Sequence, residues 1–185
     1  MDDTLKTINI AGTHSQRQIK NLLQDSSQVT ELKKRVQSEK WSFSNEHYEY
    51  ENQLQMMKNI GNNGFVSTDE VSKIAIQEIN RKIYGYKQQD RLKKRYDEAN
   101  FLTLESVILK MIECELKCRY CRCEMNVIYD ISRENRQWSV DRVNNDMGHN
   151  LTNFHLACLE CNLKRRRRTD EKFLFTKQLN IVKRL

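Results

Sequence analysis

The chain is expected to be α+β: a mostly helical N-terminal region, a small cysteine-built ββα module, and a closing helix. Three features point there. The 185 residues include no proline and only 5 glycines, so chain breakers are scarce and long helices are favoured. Cys118-x-x-Cys121 and Cys158-x-x-Cys161 have the spacing of paired metal ligands. Between those pairs lie short runs of strand composition rather than helical periodicity.

At 22.2 kDa the chain suits one medium domain, or a small module carrying an extension, because domain sizes peak at about 100–150 residues. Hydrophobic residues make up 38%, charged residues 31%, and the mean hydropathy is -0.82, with no run long and apolar enough for a membrane span. Met1-Asp2-Asp3-Thr4-Leu5-Lys6 lacks the basic start and apolar block of a secretory signal. A soluble, intracellular chain without membrane contact is the expectation. In a reducing compartment its cysteine pairs then point to metal rather than to disulfides.

Along the chain, Ile19, Leu22, Leu23, Val29, Leu32 and Val36 form a partial helical stripe. Residues 59–68, with three Asn and two Gly, favour turns and read as a linker. Ser67-Thr68-Asp69-Glu70 fits a capping box, starting a helix that Val71, Ile74, Ile76, Ile79 and Ile83 carry to about Tyr84, where Gly85 offers a stop. Residues 84–96 interleave aromatic and basic side chains. These suit either base stacking with phosphate contact or a solvated helix face whose aromatics pack on the next helix. Thr103 starts a cleaner helix, with Leu104, Val107, Ile108, Met111 and Ile112 on one face. Residues 1–100 therefore read as a helical extension that contacts a partner protein or nucleic acid, and residues 101–185 as the cysteine module with a leading and a trailing helix.

Two thiolates two residues apart can grip one tetrahedral zinc from a tight knuckle, and a second pair completes the shell. Cys118, Cys121, Cys158 and Cys161 are the expected ligands of a structural zinc, while Cys114 and Cys123 lack a matching partner and are spare. The 36 residues between the pairs must hold folded structure: strands over 126–131 and 137–141, a further strand over 153–157, and a helix from Leu159 to Arg168. A knuckle, a hairpin and a helix around one zinc make a treble-clef arrangement. A last helix from about Asp170 would use Phe173, Leu174, Leu179, Ile181 and Val182.

Charge is concentrated in this module. Residues 118–185 carry 14 Lys/Arg against 8 Asp/Glu, whereas residues 1–117 carry 18 against 17. A basic excess confined to one module predicts a polyanionic partner, nucleic acid, with Lys164, Arg165, Arg166, Arg167 and Arg168 as the main contacts.

The order Cys118-x-x-Cys121, Trp138-Ser139-Val140-Asp141-Arg142, Gly148, Asn153-Phe154-His155-Leu156-Ala157, Cys158-x-x-Cys161-Asn162 resembles the zinc-bound HNH nucleases of the His-Me finger class. The likeness runs from Cys118 to about Arg168. More loosely, the whole chain resembles HNH-like proteins of large DNA viruses. The resemblance implies an endonuclease that hydrolyses DNA phosphodiesters, with DNA favoured over RNA as the partner and with Mg²⁺ or Mn²⁺ held by Asp141 and Asn162. Asn153 would then hold the loop and orient the base. The family's base, the His after the Asp, is Arg142 here, and a guanidinium cannot accept a proton near neutral pH. Either His149 or His155 replaces it, with His149 better placed in the loop, or the site has no histidine base. Arg142 itself either holds the phosphate in a working site or fills the metal position in a silenced one. Three functions are then open: an HNH-type endonuclease, a catalytically silent nucleic-acid-binding zinc protein for transcription, packaging or genome organisation, and an assembly protein whose zinc module binds protein.

Overall fold

The structure, a computed structural model, describes residues 33–178 together with Gly12, Thr13 and Gln16. The chain divides into two units, Met1–Lys33 and Lys34–Leu185, and the second holds every helix and strand named below. Most of the stripe expected over residues 19–36 lies outside the described residues; Val36 opens a short 3-10 turn to Lys40 and is exposed.

The described chain is α+β. In order come a second 3-10 turn (Asn45–Tyr48), helices α1 (Tyr50–Asn62), α2 (Glu70–Leu92) and α3 (Leu104–Glu113), strands β1 (Trp138–Arg142) and β2 (Phe154–Cys158), and helices α4 (Leu159–Arg165) and α5 (Asp170–Gln178). No helix among the described residues is long and apolar enough to cross a membrane.

α2 begins two residues later than the Ser67 box predicts. Asp69 is its cap, accepting from the Ser72 N–H at 2.8 Å while the Ser72 hydroxyl accepts from the Asp69 N–H at 3.1 Å. Aspartate caps as well as serine does, and this one sits directly before the apolar run. The helix also runs through Gly85, which is not in the left-handed conformation that would end it. Its inward face continues past Gly85 as Ile79, Ile83, Tyr86 and Asp90, at spacings of four, three and four residues. α3 starts where the periodicity places it, with the Thr103 hydroxyl and Ser106 capping each other reciprocally. The linker shrinks to residues 63–68, because α1 extends to Asn62 before Gly64 and Phe65 turn left-handed at φ 67° and 64°.

Met57 and Ile60 of α1, Ala75 and Ile79 of α2, and Val107, Ile108 and Met111 of α3 form one buried core with Trp138, Val140 and Leu156 of the sheet. The sheet is a single antiparallel pair, with Trp138 opposite Cys158 and Asp141 opposite His155. The strand expected over 126–131 is absent. Asn126 makes only an isolated bridge to Gln137, and the chain then wraps around Gln53 of α1, whose amide oxygen accepts the N–H groups of Val127 and Ile128 at 2.7 and 2.9 Å. A buried side chain satisfies these backbone groups, so no partner strand is needed. α4 stops at Arg165 rather than Arg168, because Arg166 turns left-handed at φ 54°. In α5 Phe173 is buried and Leu174 half-buried, while Leu179, Ile181 and Val182 lie outside the described residues.

Candidate functional site

The knuckle at residues 118–121, the end of β2 and the first turn of α4 bring four cysteines together into a cluster that could hold a metal ion. The sulfurs of Cys118, Cys121, Cys158 and Cys161 all lie within 4.8 Å of one another, and Cys121 and Cys158 are 3.8 Å apart. Four thiolates around an ion at bonds of about 2.3 Å stand about 3.8 Å apart in a tetrahedron, so the four could hold one metal ion. Local folding presents them. In the first pair the Cys118 N–H bonds to the Cys123 carbonyl at 2.9 Å, and Arg122 closes the knuckle in the left-handed region at φ 60°. In the second, β2 ends at Cys158 and its sulfur caps α4 by accepting the Cys161 N–H at 3.4 Å. Three of the four are buried and Cys121 is exposed. Cys114 lies outside the cluster, its thiol donating to the Met111 carbonyl. Cys123 stands beside the cluster, close enough for Cys121 and Cys158 to perturb it electrostatically.

Next to this centre a cleft of about 460 Å³ opens between α2, β1, the β1–β2 loop and α4. Of the residues singled out by sequence, Asp141, Arg142, His149, Asn162 and Arg166 line it. The Asn162 amide donates to the Ser139 hydroxyl and the Val140 carbonyl at 3.0 and 3.1 Å, pinning α4 to β1. Asn153 holds the loop: its oxygen accepts the Asn144 N–H at 2.8 Å and its amide donates to the carbonyls of Asn144 and Gly148. His155 does not line the cleft; opposite Asp141 in the register, it lies 3.8 Å from the Asp170 carboxylate.

Asp141 is buried and its two oxygens are occupied. Arg165 places Nε 2.7 Å from Oδ2 and donates from Nη2 to Oδ1 at 2.8 Å, and the Tyr120 hydroxyl lies 2.5 Å from Oδ2. Arg165 is fully buried, and its remaining N–H groups reach the carbonyls of Arg142 and Arg168. Its place among the expected nucleic-acid contacts is therefore corrected: the guanidinium points into the protein and is spent on Asp141. The rest of the run is exposed. Lys164 pairs with Glu160, and Arg168 stacks over Phe173 at 5.0 Å. Arg166 and Arg167 form no ion pair among the described residues.

His149 is held from α2. Asp90, with no exposed surface, accepts the His149 backbone N–H at 2.6 Å on Oδ2 and faces its ring Nδ1 at 2.9 Å on Oδ1. Tyr86 stacks on the ring at 4.6 Å. Burial lowers the His149 pKa below its ordinary value, and Asp90 opposes that shift. The imidazole is therefore neutral near pH 7. A carboxylate oxygen can only accept, which puts the ring proton on Nδ1 and leaves Nε2 as an acceptor. Arg142 comes within 3.9 Å of the same Asp90 oxygen.

Gly148 makes this junction possible. A Cβ there would collide with the Arg95 carbonyl, so only glycine lets the loop press against the end of α2. Asn145 then bridges two basic segments, accepting from Arg95 on its carbonyl and donating to the Arg166 carbonyl at 3.1 Å. The basic end of the aromatic–basic stretch and the basic end of α4 meet around one cleft.

Asp90, Tyr86, Tyr120 and the inward role of Arg165 were not among the residues singled out. Tyr86 and Asp90 carry a signal, since they continue the buried stripe of Ile79 and Ile83; Tyr120 and Arg165 carry none that composition reveals. Comparison with protein-family models, curated proteins and solved structures finds no match to this chain.

Proposed function

We propose that the chain is a zinc-stabilised nucleic-acid-binding protein on an HNH-like, treble-clef scaffold whose catalytic metal position is filled by a side chain. Four cysteines at tetrahedral spacing suit zinc, and four thiolates leave no open position for chemistry. The observation that carries the silent reading is the Asp141–Arg165 pair. A Mg²⁺ ion needs oxygen ligands free of other cations, and here the carboxylate that would supply one is buried against a guanidinium and a hydroxyl. Mg²⁺ or Mn²⁺ does not fit that position.

Nucleic-acid binding is supported by Arg142 and Arg166 lining one concave surface, with Arg95 bonded to the adjoining Asn145 and Arg167 and Arg168 exposed just after Arg166 in the chain. Planar guanidinium groups match phosphate oxygens two at a time. DNA is the first candidate, on the strength of the resemblance.

A second reading, the endonuclease, is favoured by the Asp90–His149 pair. A neutral imidazole oriented by a carboxylate, with its free nitrogen available in a basic cleft, is what a general base requires. One experiment separates the two. Zinc-loaded protein is mixed with supercoiled plasmid and a labelled duplex, with and without Mg²⁺ or Mn²⁺. Tight, salt-sensitive binding without nicking supports the silent protein. Nicking that disappears in His149→Gln supports the enzyme, and absence of any binding at about 50 mM salt removes both.

A further inference from the structure

We infer that the surface over α4 takes a single-stranded polynucleotide in preference to a duplex; the inference rests on the nucleic-acid-binding reading and names its substrate class. Two concave surfaces flank this helix. One is the cleft of about 460 Å³ beside the metal centre, and the other, of about 700 Å³, lies between α4 and α5 and is lined by Lys164, Arg168, Phe173, Thr176 and Lys177. Both include Leu163 and Arg166, so they meet along the outer face of α4.

Charge, shape and polarity agree on the occupant. Cations line both hollows, and Arg166 stands at their junction. Hollows of a few hundred Å³ match small-molecule sites and admit one base or nucleotide each, whereas a double helix keeps its bases stacked inside and offers only phosphates and groove edges. Leu163, at the junction, is 65% exposed, an apolar side chain between the exposed Lys164 and the cleft-lining Asn162. Against a duplex backbone it would face phosphate, but against an unpaired strand it offers an apolar face to a base. The first hollow continues this with Leu159 and the polar side chain of Gln89, which can meet a base edge.

The test is fluorescence anisotropy on the zinc-loaded full chain with three labelled probes of one sequence: single-stranded DNA of about 20 nucleotides, the matching RNA, and the DNA duplex. One or both single strands are expected to bind at least about tenfold more tightly than the duplex, with a salt slope near 0.7 for each phosphate engaged. The two single-stranded arms identify the sugar, and the inference holds for either. Leu163→Ala, at an exposed position that leaves the core intact, is expected to weaken the preferred single strand about fivefold and the duplex less, in line with loss of part of an apolar packing contact. Equal or tighter duplex binding overturns this inference while leaving the nucleic-acid reading standing, as does an unchanged single-strand affinity in Leu163→Ala. No binding to any probe overturns both.

Discussion

Replacing Arg165 by alanine probes the buried pair at the centre of the site. Arg165 has no exposed surface and Asp141 only 4%, so the substitution strands a carboxylate in the interior with the Tyr120 hydroxyl as its remaining close partner. Breaking a buried ion pair from one side costs about 3–5 kcal/mol. The variant also withdraws donors from the carbonyls of Arg142 and Arg168, at the end of β1 and just beyond α4. For a chain of this length 1 kcal/mol shifts the melting temperature by about 2–4 °C, so the expected drop is about 6–20 °C. Trp138, fully buried on the same strand, gives the fluorescence readout, with zinc in excess so that metal binding is held constant. The double variant Asp141→Ala, Arg165→Ala removes the stranded charge and should be more stable than Arg165→Ala alone. A loss below about 1 kcal/mol, or a double variant as unstable as the two single losses added, would refute the pair as the element that closes this site.

Other consequences are open to direct measurement. Chelation, or Cys158→Ser, should release one zinc per chain and unfold the segment after Cys118, since structural zinc contributes on the order of 10 kcal/mol to modules of this kind; near-native circular dichroism with all thiols titratable would contradict it. Burial holds the folded His149 pKa below its ordinary value of 6.5, so the unfolded chain binds its proton first. The associated stability is complete above about pH 6.5 and is lost as pH falls through the folded value; the melting midpoint should therefore fall further between pH 7.5 and 5 for the natural chain than for His149→Gln. Gly148→Ala should cost about 1–3 kcal/mol by driving the loop from the Arg95 carbonyl, and an unchanged midpoint in urea would show the contact to be soft. Arg166→Ala should lower the salt slope of nucleic-acid binding by about 0.7–0.9, the share of one phosphate, and an unchanged slope would remove it from the interface.

Much of the metal module was legible because its signals are local. The Cys-x-x-Cys spacing, the alternation of Phe154 and Leu156, and the Thr103 helix each depend on near neighbours, and each holds in the structure. What failed depends on distant groups. The run 126–131 has strand composition, but Gln53 supplies the hydrogen bonds a neighbouring strand would have made. Gly85 resembles a helix stop, yet the buried face on either side of it carries α2 on to Leu92. The site divides in the same way. Asp141, Asn162 and Asn153 are marked by the resemblance, and the first two line the cleft though each is engaged by protein groups, whereas Asp90 is 59 positions from His149 and joins it only when α2 packs against the loop. Arg165 sits in a basic run that composition assigns to solvent; its inward turn depends on the left-handed backbone at Arg166 and on the carboxylate waiting beneath it.

The central claim is that a guanidinium, and no divalent ion, neutralises Asp141. Crystals of the zinc-loaded protein soaked in Mn²⁺ test it through anomalous scattering at the two metal edges. A single zinc peak among Cys118, Cys121, Cys158 and Cys161 is predicted, with Arg165 still seated on Asp141. A manganese peak between Asp141 and Asn162, with Arg165 displaced, would contradict it and restore the metal-dependent nuclease.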